Sequence, residues 1–151
     1  MAEQVPSREE MTDLGRRFRE AINAHDLSNY DELVSADFIE HEELPGVPAG
    51  PGAPRQFFET IFAAFPDFRY VVEDELVDGD KLVWRVRFTG THQGEFLGIP
   101  GTGKRVDVKG IDIVRYVDGR AAEHWGVTDT LGMLQQLGVA PPAPGQGGGP
   151  A

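Results

Sequence analysis

The sequence predicts a single α+β domain: helices first, then a long antiparallel meander packed against them. Apolar residues recur at helical spacing as far as Phe65, and at every second position from Phe68 onward. The length of 151 residues suits one domain with its own core. The domain is expected to cover 1–138, leaving 139–151 as a disordered Pro/Gly tail.

The first helix starts at a capping box. Ser7 is placed to accept from the backbone three residues on, and Glu10 to reach back. Met11, Leu14, Phe18 and Ile22 follow on one face, so a helix is expected over 8–24. A short second helix is expected over Tyr30–Ser35. The stretch LPGVPAGPGAP (44–54) holds too much Pro and Gly for regular structure. A third helix over 55–65 follows from the stripe Phe58, Ile61, Phe62 and Phe65, and it ends before Pro66. Four strands are expected over 68–77, 81–93, 104–117 and 120–128, then a last helix over 129–137 stopped by Gly138.

Both hairpins carry the turn word Val-Asp-Gly, at 77–79 and 117–119. A two-residue Asp-Gly turn would scatter the apolar residues of the first hairpin over both faces. A three-residue turn gathers them by pairing Val72 with Trp84, Tyr70 with Val86 and Phe68 with Phe88. The same turn in the second hairpin sets Asp112 opposite His124, Gly110 opposite Gly126 and Val114 opposite Ala122. Cross-strand neighbours stand about 4.5–5.5 Å apart at Cβ, close enough for a carboxylate–imidazole pair.

Composition narrows the function. Fourteen Lys and Arg stand against 25 Asp and Glu, a formal net charge of −11. Such a field repels phosphate backbones and anionic lipid, which argues against nucleic-acid and membrane roles. There is no cysteine, so disulfides and thiolate chemistry are excluded. No basic-then-apolar leader opens the sequence and no run is long enough for a membrane span, so a cytoplasmic protein is expected.

Gly98-Ile-Pro-Gly-Thr-Gly103-Lys104 has the spacing of a phosphate-binding P-loop, but position 105 is Arg and the following residues alternate like a strand. It reads as a hairpin loop. The four histidines (25, 41, 92, 124) show no i, i+4 pair on a helix, so no metal site is implied. The two serines, Ser7 and Ser35, lack a nucleophile motif.

Asp112 interrupts an apolar strand, where a carboxylate needs a partner. It reads as a general base tuned by burial, or as a solvated outward aspartate. His124 titrates in the useful range, or is simply held in place by Asp112. Asp129 is a candidate second acid that also stands where the last helix needs a cap. Glu40, His41, His92 and Trp125 are candidate substrate-binding residues, and Gly110 and Gly126 would leave room for a flat substrate. Each has its plainer reading as loop, core or interface.

The run GEFLGIPGTGKRVDVKGIDIVRYVDGRAAEHWGVTDTLGMLQQLG (94–138), with Ala36-Asp-Phe-Ile-Glu-His41 and the helix over 57–65, resembles the SnoaL-like polyketide cyclases of the NTF2-like superfamily. The resemblance covers roughly residues 8–138 and implies a cone-shaped barrel. In it, N-terminal helices pack into a curved antiparallel sheet of four or more strands around a deep apolar pocket.

It also implies cofactor-free acid/base chemistry next to a carbonyl, as in aldol-type polyketide cyclisation. Lyase, isomerase and epoxide hydrolase relatives are known in the same superfamily. The family's pocket histidine on the long strand matches Asp112, the glutamine two residues earlier matches Gly110, and its pocket asparagine matches Glu40. The last-strand histidine is kept as His124. The catalytic aspartate two residues later matches Gly126, so the proton transfer would fall to Asp112 with His124.

The reading is therefore an enzyme acting on a small hydrophobic or aromatic carbonyl compound, as a homodimer covering the apolar outer face of its sheet. Two alternatives are a non-catalytic binding protein for such a compound, and an epoxide hydrolase built on Asp112, Glu40 and Arg85.

Overall fold

The computed structural model describes residues 5–141. Positions 142–151, most of the expected tail, lie outside the described residues. The order is α1 (Arg8–Asn23), α2 (Tyr30–Leu33), β1 (Val34–Glu40), α3 (Ala53–Ala64), β2 (Arg69–Asp78), β3 (Lys81–Thr91), β4 (Arg105–Val117), β5 (Arg120–Thr128) and α4 (Thr130–Gln136). The strands form one sheet in the order β1-β5-β4-β3-β2. Four helices and a curled, unclosed sheet make the expected α+β fold.

The strand β1 was not anticipated, and it makes the sheet mixed. It runs parallel to β5, with Glu40 beside His124. Only four residues of the helix expected over Tyr30–Ser35 are helical, because the chain turns at Val34 to pair with β5.

α1 begins as its residues dictate: Ser7 accepts from the Glu10 backbone, and the Glu10 carboxylate returns the bond to the backbone of Ser7. The helix then buries Met11, Gly15 and Ile22 against the sheet. At Gly15 the approach is so close that a β-carbon would lie 2.8 Å from the Trp84 ring. α3 carries Pro54 in its first turn, where no donor is lost, and buries Ile61 and Ala64.

Two apolar clusters flank the space between helices and sheet. One joins Met11, Leu33 and Phe38 to Leu82, Trp84 and Tyr116. The other joins Ile22, Ile61 and Phe65 to Phe96, Val108 and Met133.

The registers differ from expectation by two residues, yet every face is preserved. In the first hairpin Asp78 pairs with Lys81, so Gly79 and Asp80 form the turn. Tyr70 then faces Phe88 and Val72 faces Val86. In the second hairpin Val117 pairs with Arg120 across a two-residue Asp118-Gly119 turn, both residues at positive φ.

Such turns alone would put the apolar residues on opposite faces. One extra residue in each hairpin, Glu73 in β2 and Ala122 in β5, shifts the pairing and restores the face. Asp112 consequently faces Gly126, not His124, and His124 faces Val114. The Gly98–Lys104 segment joins antiparallel β3 to β4 and leads into a strand, so it lacks the helix a P-loop requires.

Candidate active site

The concave face of the sheet and the helices enclose a cavity of about 120 Å³. Its walls are apolar: Phe18 from α1, Phe57, Phe58 and Ile61 from α3, and Trp84, Val86 and Phe88 from β3. One end is polar, formed by Glu40, Glu42, Tyr70, Asp112, His124 and Thr128. A few polar groups grouped in an apolar hollow is how small-molecule sites are built.

His124 is the centre of that end. Its Nδ1 lies 2.6 Å from Glu40 Oε1, and its Nε2 lies 2.8 Å from Asp112 Oδ1. Burial alone would drive the imidazole towards neutrality. The hydrogen bonds to Asp112 and Glu40, with their charges, prevail and carry it up to about 10. The ring is an imidazolium that donates from both nitrogens.

Asp112 accepts a second bond, on Oδ2, from the Tyr70 hydroxyl. Burial first, and then the Asp112 charge, hold that phenol well above its ordinary range, so it remains a donor. Glu40 Oε1 also accepts from the Glu42 backbone N–H at 2.9 Å.

Glu42 was not singled out from the sequence. It lies in the loop after β1, accepts from Thr128 Oγ1 at 2.8 Å, and lines the cavity. Burial, its largest influence, raises its carboxyl above the usual range. The acidic run Glu40-His-Glu-Glu43 held the only hint: alternation past the end of a strand puts 40 and 42 on one side. Tyr30 also lines the cavity, and its buried hydroxyl has no partner among the described residues.

Of the residues expected at the site, Asp112, His124, Glu40 and Gly110 meet at the cavity. Gly126 adjoins it: a β-carbon there would lie 2.7 Å from both Asp112 Oδ1 and His124 Cε1. Four others lie elsewhere. His41 and Trp125 project from the convex face, where their rings stack at 5.0 Å and His41 bonds Glu123 at 2.6 Å. Alternation explains this, since 125 is odd where 124 and 126 are even.

His92 is fully buried beyond the end of β3, bonded to Thr102 and stacked on Phe65. Asp129 caps α4 by accepting from the Gly132 N–H at 2.9 Å, outside the cavity. Arg85 also lies on the convex face, which removes the carboxylate–arginine arrangement that epoxide hydrolysis would need.

Ligand atoms of Glu42, Asp112 and His124 lie within 4.8 Å of one another, the spacing of a metal site. Both His124 nitrogens already serve carboxylates, however, so the imidazole has no free lone pair to offer.

The model of the SnoaL-like polyketide cyclases matches residues 12–137. The chain belongs to this family. It is 30% identical over 135 residues to the aklanonic acid methyl ester cyclase DnrD of Streptomyces peucetius, covering 87% of this chain and 93% of that one. The nogalonic acid methyl ester cyclase of Streptomyces nogalater is 28% identical over 120 residues, covering 78% of this chain and 90% of the relative. Among solved structures, TsrD from Streptomyces laurentii is similar with a TM-score of 0.79 and 32% identity, covering 89% of this chain and 98% of that one. This SnoaL-like chain is thus of cyclase type in both pattern and fold.

Proposed function

We propose that this protein closes a ring in a small aromatic or polyketide-like carbonyl compound by an intramolecular aldol step, its own side chains moving the protons. The observation that carries the reading is the clamp on His124, held between Asp112 and Glu40 at the polar end of an apolar cavity. The imidazolium donates to both carboxylates and fixes Asp112 in place, so His124 and Glu40 act as positioning residues.

Asp112 is the base. It takes a proton from the carbon next to a substrate carbonyl, and the electron pair of the broken C–H bond forms an enolate. The enolate carbon attacks a second carbonyl of the same molecule, making the new C–C bond and an alkoxide. The partnerless Tyr30 hydroxyl, which burial and then Glu40 push up to about 12, stays protonated to donate to a substrate oxygen. Isomerase and lyase steps on such compounds would share the first proton transfer.

A second reading is supported by Gly126, which stands where the resemblance implies an acid/base aspartate: a binding protein that leaves its ligand unchanged. Aklanonic and nogalonic acid methyl esters separate the two. Ring closure by the wild type, with kcat lowered at least ~100-fold by Asp112→Asn, is the expected result. Recovery of both esters unchanged would leave binding alone.

The same proposal includes a homodimer and a cytoplasmic location. Ile111 and Val127 stand 53% and 75% exposed on the convex face, which supports burial there by a second copy. Sedimentation of wild type against Val127→Glu checks the dimer, and a fluorescent fusion checks the location. No helix among the described residues is long and apolar enough to cross a membrane.

A further inference from the structure

We infer that Glu42 is the general acid of this pocket, donating its proton from Oε2 to the carbonyl oxygen that becomes a hydroxyl as the ring closes. The inference rests on the cyclase reading above and deepens it.

The argument begins at Gly126. A β-carbon at that position would run into three groups: Asp112 Oδ1, the edge of the His124 ring and, closest of all, Glu42 Oε2. Here a carboxylate already occupies the place, and it arrives from the loop after β1 instead of from β5. Glycine at 126 and glutamate at 42 are therefore two halves of one arrangement, since any side chain at 126 would displace the Glu42 carboxylate.

The hydrogen bonds then separate the three carboxylates. Asp112 has both oxygens engaged, by His124 and Tyr70. Glu40 Oε1 receives two donors, His124 and the Glu42 N–H. Glu42 receives one, from Thr128 onto Oε1, and its Oε2 accepts no protein donor among the described residues. Glu40 Oε2 is also without a donor among the described residues, but the Glu42 carboxyl holds only one bond in all, and its free oxygen is the one beside Gly126 and the Asp112 carboxylate.

The groups facing this carboxyl are Glu40 from β1, Asp112 from β4, His124 and Thr128 from β5, and Tyr70 from β2. Burial leads in favouring its protonated form. The Thr128 bond opposes, as does the His124 charge, while the Asp112 and Glu40 charges reinforce. Asp112, bonded on both oxygens, thus stands beside Glu42, whose buried carboxyl leans towards its protonated form, and such a difference of environment is what assigns base and acid.

The proton count closes. Asp112 gains the proton of the broken C–H bond. Glu42 loses its proton to the alkoxide formed with the new C–C bond, and the product leaves as a neutral alcohol. The resting state returns when the proton on Asp112 passes to Glu42, directly or through a water, across a gap of no more than 4.8 Å.

The test uses the whole chain with aklanonic and nogalonic acid methyl esters as probes. Glu42→Gln is expected to lower kcat by roughly 10²–10⁴-fold, with little change in KM. It should also abolish the fall in rate on the alkaline side of the pH profile, while Glu42→Asp restores part of both. Carbon-13 titration of the labelled carboxyl should place Glu42 above ordinary glutamates.

If Glu42→Gln keeps wild-type kcat while Asp112→Asn loses it, Glu42 only lines the wall and the inference falls alone. The same holds if kcat drops but the alkaline limb persists, or if Glu42 titrates as an ordinary glutamate. A wild type that turns over neither ester removes the cyclase reading and the acid with it.

Discussion

Asp112 Oδ1 lies 2.8 Å from His124 Nε2, although the two residues are diagonal and not opposite on their strands. The residue opposite Asp112 is Gly126. The ring of His124 reaches its partner across the space a side chain at 126 would fill.

Gly126→Ala is therefore expected to cost about 1–3 kcal/mol of stability, because the hydrogen-bonded side chains of Glu42, Asp112 and His124 must shift, and to lower turnover. Gly126→Asp, which puts a carboxylate where the resemblance implies one, is expected to be worse and not a rescue. Thermal unfolding and kcat check both. An active, stable Gly126→Asp variant would show that the Glu42 carboxylate moves aside freely.

His124 makes stability depend on alkaline pH. Its folded value, about 10, lies above the unfolded reference of 6.5, so the folded state binds the proton more tightly. The contribution is fully present below pH 6.5 and is lost as pH rises through about 10. Denaturant unfolding at pH 6 and pH 10 should show the wild type losing more stability than His124→Asn, by an amount on the order of a few kcal/mol. Equal losses would mean that the clamp is absent in solution.

Glu42 contributes in the opposite sense for a carboxyl. Its folded value is raised, so the stabilising proton is present below 4.5 and is lost as pH rises through the folded value. Wherever Glu42 is ionised its burial is unfavourable, so Glu42→Gln is expected to raise Tm while lowering activity. A Tm that falls would assign Glu42 a structural role through Thr128.

Trp125 and His41 stack on the convex face, away from the cavity. Trp125→Phe and His41→Ala are expected to leave kcat within about twofold, since neither side chain meets the pocket. Steady-state kinetics with the same esters checks this, and a large loss would demand a route from the outer face to His124.

Much of the fold was legible from residue pattern. The Ser7–Glu10 box started α1 where expected, and alternation from Phe68 onward marked four strands to within a few residues. β1 was not legible, because Val34–Glu40 pairs only with β5, whose partner on that side nothing local specifies. The bulges at Glu73 and Ala122 were hidden for a related reason. Identical Val-Asp-Gly words led to different turns, and only packing of the shared apolar face decided where each strand would absorb an extra residue.

What the sequence by itself determined is whatever depends on periodicity: the helices, the strands, and the even-numbered set (Tyr70, Trp84, Asp112, His124) that shares one face. Parity survives a register error of two, so the Asp112–His124 partnership was within reach although its geometry was not. What only the tertiary structure decided is which distant segments meet. Glu40 and Glu42 reach the imidazole because β1 lies along β5, while His41, His92, Trp125 and Asp129 point elsewhere. A three-dimensional contact between segments about eighty residues apart is fixed by the energy of the whole packed core, which no local pattern encodes.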